Sequence, residues 1–170
     1  MDDSRSAPNL SELARLHYAL LYRYAYRLCG SAEEAEDLTQ QAFLTAHRRL
    51  HQLRDANSAK SWLCAILRNT FLTRVSSQRA VQIVPLHGFW DPVQEQSPTA
   101  NFDSGELQQV LNELPEEFRT PLVLYYFEEF SYRQIAEQMG VPIGTVMSRL
   151  ARAKTHLRRR LEALQSAPTR

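Results

Sequence analysis

Residues 131–160 read SYRQIAEQMGVPIGTVMSRLARAKTHLRRR. The fold predicted for the second half of the chain rests on this stretch. Ser131 and Gln134 form a capping box that opens a short helix. A turn over 140–142, containing a glycine and a proline, follows, and a long helix begins near Ile143. This arrangement predicts a helix-turn-helix, in which the second helix enters the major groove of DNA.

The long helix has one apolar face and one cationic face. At roughly 100° per residue, a stripe of apolar side chains shares the inward arc with Val146. The opposite arc carries no acidic residue before Glu162, whereas a solvated helix face normally mixes both signs. DNA contact therefore explains this face better than the alternative, a bundle helix with a basic exterior. The inward residues are Leu150, Ala153, Leu157, Leu161 and Leu164, and the outward ones are Thr145, Ser148, Arg152, Thr155, His156 and Arg159, with Arg149 beside them.

The predicted duplex-binding residues divide by role. Arg149 and Arg152 are expected to contact base edges or phosphates, and Thr145 and Ser148 to position the helix. Gly144 lacks a side chain, so the helix N-terminus can approach a phosphate closely. The other cations are expected to attract DNA of any sequence, and the supporting helix to touch the flanking backbone. These further residues are Lys154, Arg158, Arg159 and Arg160 on the long helix, and Tyr132, Arg133 and Gln134 on the supporting helix.

Charge is segregated along the chain, although all 170 residues together carry a net charge of only +1. Residues 106–130 hold six glutamates and one arginine, a net charge of −5. Residues 131–160 hold seven lysines or arginines and one glutamate, a net charge of +6. The basic block is local, which indicates a polyanionic partner more strongly than the overall charge does.

Composition narrows the class of protein. A hydrophobic content of 44%, only five glycines and apolar residues at helical spacing predict a soluble all-α fold. Cys29 and Cys64 lack the paired spacing of a zinc site, so we expect reduced, buried thiols in a cytosolic protein. No apolar run approaches the roughly 20 residues of a membrane span, and the polar N-terminus is unlike a signal peptide. We therefore expect a cytoplasmic protein without membrane insertion.

The first half of the chain predicts a second small bundle. Leucines and aromatic residues at helical spacing end at Gly30, which is expected to be a left-handed C-cap. Ser31 and Glu34 form a capping box for the next helix. A third helix follows, and three helices over about 70 residues are enough for a bundle. The predicted segments are Leu13–Leu28, a helix over about 32–50, a connection over 51–58 and a helix over about 59–78.

Residues 80–103 contain three prolines and no sustained period, so they are predicted to be a linker. Phe89 and Trp90 within it are expected to dock on a neighbouring domain or to contact a partner. Asp103 and Glu106 form a capping box for the second block. Pro115 restarts a helix that runs to about residue 129, and Pro121 is expected to kink that helix or to mark its true start. The predicted architecture is two small helical bundles, residues 10–79 and 104–165, joined by the linker over 80–103, with the helix-turn-helix in the C-terminal bundle.

The second and third helices carry candidate binding surfaces. Leu44 lies in the centre of a polar helix face, an arrangement typical of an interface with an apolar centre, although a lone surface leucine also occurs incidentally. On the third helix, cations lie near Trp62 and Phe71, as in proteins that bind single-stranded nucleic acid, although Trp62 could equally belong to the core. The residues around Leu44 are Glu33, Asp37, Gln40, Gln41 and Arg48, and the polar residues of the third helix are Lys60, Arg68, Asn69 and Arg74.

Three stretches carry a resemblance to a known family. They are LYRYAYRLCGSAEEAEDLTQQAFLTAHRRL, SWLCAILRNTFLTR and LPEEFRTPLVLYYFEEFSYRQIAEQMGVPIGTVMSRLARAKTHLRRRL, at residues 21–50, 61–74 and 114–161. Together they resemble an extracytoplasmic-function (ECF) sigma factor of bacterial RNA polymerase. The likeness covers about residues 13–80 and 104–162. It implies a promoter-specificity factor with no catalytic activity, cofactor, metal or small-molecule substrate, whose partners are core RNA polymerase and promoter DNA, together with an anti-sigma factor.

The resemblance also assigns residues to partners. The second helix would dock on the clamp of the largest polymerase subunit, and the third helix with loop 54–58 would capture the melted non-template strand of the downstream promoter element. The helix-turn-helix would read the upstream element as duplex, and the linker would thread along the polymerase. His47 and the sparsely basic RVSSQRA run, residues 74–80, depart from the family pattern. The polymerase-binding set is Asp37, Gln40, Gln41, Leu44 and Arg48; the downstream set is Lys60, Arg68, Asn69 and Arg74; the upstream set is Arg133, Gly144, Thr145, Ser148, Arg149, Arg152, Lys154, Thr155 and Arg159.

Two other functions compete with this interpretation. A free-standing helix-turn-helix regulator would use residues 131–160 alone and would have no use for the Leu44 face. An enzyme would need a metal site, for which Glu33, Glu34, Glu36 and Asp37 are the candidates. No histidine accompanies these carboxylates, and acidic residues are expected in a first helical turn from the helix dipole alone. The sequence therefore favours the sigma factor over both alternatives.

Overall fold

The computed structural model of the chain describes residues 9–78 and 104–166. Every regular element in these two ranges is helical, which confirms the all-α prediction. The chain divides into two compact units, Met1–Val81 and Gln82–Arg170, here called unit 1 and unit 2. Within the described ranges the helices are α1 Leu10–Cys29, α2 Ala32–Arg48, α3 Ala59–Gln78, α4 Ser104–Glu113, α5 Glu116–Tyr126, α6 Tyr132–Met139 and α7 Ile143–Ser166.

Several sequence predictions fall outside the described residues. The linker over 80–103, with Phe89 and Trp90, lies there, and so does Asp103 of the capping box expected before α4. In the ranges that are described, none of the helices combines the length and the apolar character that a membrane crossing needs.

In unit 1, the predicted caps at Gly30 and Ser31 are present, and Asn9 provides a further cap that the sequence analysis did not predict. The side-chain Oδ1 of Asn9 accepts a hydrogen bond from the backbone N–H of Glu12 and opens α1. Gly30 ends α1 with a φ of 75°, in the left-handed region that glycine adopts without steric cost. The Ser31 hydroxyl then accepts a bond from the backbone of Glu34 and opens α2. The turn between the two helices is therefore fixed by local sequence.

The core of unit 1 lies between α1, α2 and α3. The inner face of α2 is built mainly from alanines, which allow the neighbouring helices to approach closely, and larger side chains from α1 and α3 fill the space. Cys64 is buried as predicted, whereas Cys29 is only half-buried, and neither forms a disulfide. The fully buried residues are Leu21, Tyr24, Ala25 and Leu28 of α1, Ala35, Leu38, Thr39, Ala42 and Ala46 of α2, and Leu63, Cys64 and Leu67 of α3.

The end of α2 differs from the prediction. The helix stops at Arg48 rather than near residue 50, because Arg49 leaves helical backbone geometry at φ −109° and ψ 14°. Leu50–Gln52 and Ala56–Ser58 form short 3-10 turns instead, within the predicted connection. Leu50, expected on the α2 face, packs from the first of these turns against Leu13, Leu53 and Ala59.

In unit 2, a buried arginine joins α4 to α5. Arg119 donates from Nε and Nη2 to the carbonyl of Leu114, and from Nη2 to the carbonyl of Asn112 at 3.0 Å. The last carbonyls of a helix lack donors within that helix, so Arg119 satisfies the end of α4. This contact fixes the sharp connection at Pro115, where the predicted restart of the helix is confirmed.

Pro121 was expected to kink α5 or to mark its true start, and the second alternative is wrong. The helix begins at Glu116, and Pro121 lies inside it. A proline at this position cannot donate to the carbonyl of Glu117, and its ring crowds that carbonyl, so a kink stays the prediction. The helix ends at Tyr126 rather than near 129, because Glu129 adopts a φ of 59° and the chain turns.

The helix-turn-helix prediction is confirmed in its local geometry. Both bonds of the Ser131–Gln134 capping box are present, at 3.2 and 2.9 Å. Gly140, at φ 64°, ends α6, and α7 begins at Ile143 as predicted. The predicted inward stripe of α7 is buried, apart from Leu164, which is half-buried; its members are Val146, Leu150, Ala153, Leu157 and Leu161.

Candidate functional site

The outward face of α7 presents the predicted polar and cationic residues. Gly144, Ser148, Arg152 and Arg159 are exposed, and Thr145, Lys154 and Thr155 are half-buried. A Cβ at Gly144 would meet no atom within 4 Å, so packing within unit 2 does not require a glycine at this position. The absence of a side chain there matches the prediction of a close approach by an external ligand, which stays a prediction.

The hydroxyls of this face are engaged within the helix. Ser148 Oγ donates to the carbonyl of Thr145 at 3.0 Å, and Thr155 Oγ1 donates to the carbonyl of Ala151 at 3.0 Å. Because each hydroxyl has a single hydrogen, it must rotate away from the helix before it can donate to a phosphate. Arg152, which is exposed and forms no ion pair within the described ranges, has no such constraint.

Side chains on one flank of α7 form ion pairs with glutamates of the acidic block, residues 106–130. Arg160 makes a two-pronged ion pair with Glu113, with both N–O distances at 2.7 Å. Arg149 Nη2 lies 3.5 Å from Glu117 Oε2. The hydrogen bond from Arg160 holds the pKa of Glu113 below its usual range. The acidic and basic blocks of the sequence therefore contact each other in the fold, through ion pairs from α7 to helices α4 and α5.

His156 corrects one prediction about this face. It was expected on the outward arc, but it is half-buried, with Nε2 3.5 Å from Glu113 Oε2 of α4. Arg149, expected beside the outward arc, also turns toward α5 through Glu117. Glu113 and Glu117 were not among the predicted site residues, although their glutamate-rich block was the signal that could have identified them.

The remaining predicted cations of unit 2 differ in their neighbours. Arg133 on α6 pairs with Glu137, one turn later, and both side chains are largely exposed. In the described part of the chain, neither Arg152 nor Lys154 forms an ion pair. Arg152 is therefore an exposed cation on the outward face of α7.

In unit 1 the predicted polymerase-binding residues share one exposed face of α2. Leu44 is 58% exposed at its centre. Asp37, Gln40, Gln41 and Arg48 are exposed as well, so a carboxylate, two amides and a cation accompany the leucine. The face combines an apolar centre with a polar rim that includes both charge signs.

A groove of about 360 Å³ lies between α2 and α3. Asn69 and Arg74, two of the predicted strand-binding residues, line it, and so does Gln41 from the polymerase set. Sequence reasoning missed the rest of its polar lining, although these residues follow helical i, i+4 spacing on both helices. The polar residues missed are Thr45 of α2, Arg49 directly after it, and Thr70, Thr73 and Ser77 of α3, and the apolar Ile66 completes the lining.

The other two predicted strand-binding residues lie elsewhere in unit 1. Arg68 is only 9% exposed and belongs to the interior of the unit. Lys60 is half-buried near α1; burial, and secondly the charge of Lys60, lowers the pKa of His17. The structure therefore brings Asn69 and Arg74 together in the groove and leaves Lys60 and Arg68 out of it.

The carboxylates that an enzyme would need at the start of α2 show no clustering. Glu33, Glu34, Glu36 and Asp37 are each exposed. Across residues 9–78 and 104–166, no three His, Cys, Asp or Glu side chains are grouped in a way that could hold a metal ion.

Comparison with family models accounts for both units. The model of Sigma-70 region 2 matches residues 13–81, and that of Sigma-70 region 4 matches residues 104–157. The two matches contain the α2 face, the α2–α3 groove and most of α7. They coincide closely with the two stretches over which the sequence resembles ECF sigma factors.

Curated relatives match across both units. The ECF RNA polymerase sigma factor SigE of Mycolicibacterium smegmatis is 36% identical over 162 residues, which cover 92% of this chain and 63% of SigE. SigM of Mycobacterium tuberculosis is 34% identical over 156 residues, covering 91% of this chain and 78% of SigM. SigW of Bacillus subtilis is 26% identical over 167 residues, covering 91% and 89%. The chain thus spans less than two thirds of SigE but most of SigM and SigW.

Solved structures show the same fold. The sigma factor RpoE of Bartonella quintana, in complex with the anti-sigma factor NepR, superposes with a TM-score of 0.72 at 25% identity, covering 89% of this chain and 96% of that one. The PhyRSL–NepR complex of Sphingomonas sp. Fr1 gives a TM-score of 0.67 at 16% identity, which bears on the fold alone. With both family regions matched in order and relatives above 30% identity across both units, this chain belongs to the ECF sigma factors of RNA polymerase.

Proposed function

We propose that this chain directs promoter recognition and transcription initiation by binding core RNA polymerase and promoter DNA, with no catalytic activity of its own. The observation that carries the proposal is the pair of unlike exposed faces, one on α2 and one on α7, in a chain of this family. A polymerase-bound specificity factor needs one surface for protein and another for DNA. It would act in the cytoplasm, where the polymerase transcribes.

The α2 face is assigned to core polymerase. Leu44 supplies an apolar contact that gains free energy when water is removed from it. Asp37, Gln40, Gln41 and Arg48 supply a rim of hydrogen bonds and charges of both signs, which sets orientation. Phosphate would repel Asp37 and gain nothing from Leu44, so this face suits a protein partner.

The groove between α2 and α3 is assigned to the melted strand of the downstream element. Arg49 and Arg74 can approach phosphates from its two walls, and Asn69 can both donate to and accept from a base edge. Gln41 lines the groove and also belongs to the polymerase set. Polymerase docking and strand capture would therefore use adjoining surfaces of unit 1.

The outward face of α7 is assigned to the duplex of the upstream element. Arg152 is exposed and can reach base edges, while Arg159, two turns later, can follow the phosphate backbone. Glu113 and Glu117 hold the flank of α7 against α4 and α5, which keeps the helix fixed as it enters the groove. Regulation by a protein anti-sigma factor is proposed as well, on the likeness to the RpoE–NepR complex.

The proposal is tested with the purified full chain and core RNA polymerase. We expect the two to co-elute in size-exclusion chromatography and the complex to initiate run-off transcripts from a cognate promoter. A free-standing regulator would bind duplex DNA without co-eluting, which would reject the proposal. Leu44→Asp is compared with Leu16→Asp, since Leu16 is an equally exposed leucine of α1. If only Leu44→Asp loses polymerase binding, the loss arises at the α2 face and not from the added charge.

A further inference from the structure

Two parallel ridges run along the start of α7. Gly144, Ser148 and Arg152 form a polar ridge at i, i+4 spacing, and all three are exposed. Ile143, Met147 and Ala151 form an apolar ridge beside it, and these are exposed too. Met147 is 52% exposed and Ile143 45% exposed, so neither belongs to the core of unit 2.

The position of the apolar ridge indicates what would cover it. It lies at the N-terminal turns of the second helix of a helix-turn-helix, the part of that motif that meets base edges. Arg152 stands at its side, and α7 carries no acidic residue before Glu162, so the charge of this helix favours a negatively charged partner, and the position within the motif favours DNA among such partners. In the major groove, the apolar groups available for contact are the C5-methyl groups of thymine.

We propose that the ridge Ile143–Met147–Ala151, with Met147 at its centre, reads thymine methyl groups in the upstream promoter element. This inference rests on the proposed function of α7 and adds a specificity determinant to it. The polar ridge would supply hydrogen bonds to bases or phosphates, and the apolar ridge would select bases by shape and hydrophobic contact. Met147 suits this role because its unbranched side chain adapts to an uneven apolar surface.

The test uses the full chain bound to core RNA polymerase and a duplex selected from a pool with a randomised upstream region. Each thymine is replaced in turn by deoxyuridine, which removes only the C5-methyl group and keeps base pairing. At one or two positions we expect affinity to fall about fourfold, the effect of withdrawing one methyl-sized group from contact. In Met147→Ala the same replacements should change affinity little, and Met147→Leu should restore the sensitivity.

Matched controls separate the possible outcomes. Leu16→Ala, on α1, should keep the wild-type response to deoxyuridine. An equal response in wild type and Met147→Ala, or no response at any thymine, would overturn the inference while leaving the proposed function intact. So would a loss of polymerase binding in Met147→Ala, since the ridge would then serve a protein. If no duplex were bound selectively, the proposed function would fail together with this inference.

Discussion

The outward faces of α2 and α7 differ in how they combine charge and apolar surface. On α2, Asp37 and Arg48 bring both signs to a face centred on Leu44. On α7, cations and hydroxyls follow one another, with no carboxylate before Glu162. A mixed face gains from desolvation and short-range pairing with one partner surface, whereas a one-signed face attracts any phosphate chain over distance. The two faces are therefore suited to different classes of partner.

Apolar packing holds both helices, and ion pairs along one flank distinguish α7. Behind α2 lie the buried residues Ala35, Ala42 and Ala46. Behind α7 lies its buried apolar stripe, and beside it lie Glu113 and Glu117, which pair with Arg160 and Arg149. The acidic block thus pairs with a flank of the cationic helix and leaves its outward face exposed.

The strongest loss of binding is expected from substitutions on the outward face of α2. Leu44→Asp combined with Asp37→Arg should weaken binding to core polymerase by at least about 2 kcal/mol, or roughly thirtyfold, as for a central interface residue. The affinity is measured by fluorescence titration of the labelled full chain with core polymerase. Leu16→Asp is the matched control and should bind normally. Unchanged affinity of the double variant for core polymerase would show that the α2 face does not bind the polymerase.

On the α7 side, two arginines are expected to act differently. Arg152→Ala should lower affinity for the cognate duplex by roughly 1–3 kcal/mol and relax its sequence preference, as expected for loss of a residue that reads a base. Arg159→Ala should reduce the slope of log affinity against log salt by about 0.9 and leave sequence preference unchanged. Binding of the polymerase complex to cognate and random duplexes at several salt concentrations gives both quantities. Equal effects of both changes on all duplexes would reject this division of roles.

The groove between α2 and α3 provides a test of strand capture. Arg49→Ala should reduce the salt slope for binding of a downstream-element single strand by about 0.7, the share of one phosphate contact. Arg23→Ala removes an exposed arginine of α1 outside the groove and serves as the control. Equal slopes for the two variants would show that the groove does not hold the strand.

The contact between Glu117 and Arg149 predicts a smaller effect. Glu117→Gln should release Arg149 toward phosphates and increase affinity for random duplexes, with a salt slope steeper by at most about 0.9. Glu162→Gln makes the same charge change near the end of α7 and controls for net charge. If both variants gained the same affinity, Glu117 would have no specific role in restraining Arg149.

The smallest expected effect is a pH dependence of stability in unit 2. The hydrogen bond from Arg160 lowers the pKa of Glu113 in the folded chain. As pH falls, the Glu113 carboxylate is therefore protonated in the unfolded chain before it is protonated in the folded chain. The Glu113–Arg160 pair therefore stabilises the fold fully above the ordinary carboxyl pKa. This stabilisation is lost as pH falls through the pKa of Glu113 in the folded chain. Glu113→Gln should lower Tm at neutral pH, and its difference from wild type should shrink in acid. Arg160→Met should add little further loss in the double variant; additive losses would contradict the pairing.

Local sequence rules predicted the helix ends well. Gly30, Gly140 and the Ser131–Gln134 capping box each act through neighbours within a few residues, and the structure confirms them. The predicted end of α2 was wrong by two residues, because Leu50 contacts the core from a 3-10 turn as well as it would from a helix. Of the two alternatives for Pro121, the helix start is excluded, because α5 already begins at Glu116 after Pro115.

Features that depend on contacts between distant residues were not predictable in the same way. His156 faces Glu113, which lies on a different helix, so the helical period of α7 alone could not orient it. The α2–α3 groove needs two helices side by side, and Arg49 and Thr73 acquire a shared position only in the folded unit. Arg68 has the chemistry of a strand-binding residue but lies in the interior.

Mapping of RNA start sites would show whether this chain directs core polymerase to promoters. Core RNA polymerase supplied with the full chain would transcribe a library of bacterial DNA fragments, and the 5′ ends of the products would be sequenced. We predict a set of starts preceded by two shared sequence elements, lost as a whole with the Leu44→Asp and Asp37→Arg double variant. Arg152→Ala should alter the preferred upstream element alone. Starts identical to those made by core polymerase without the chain would contradict the account.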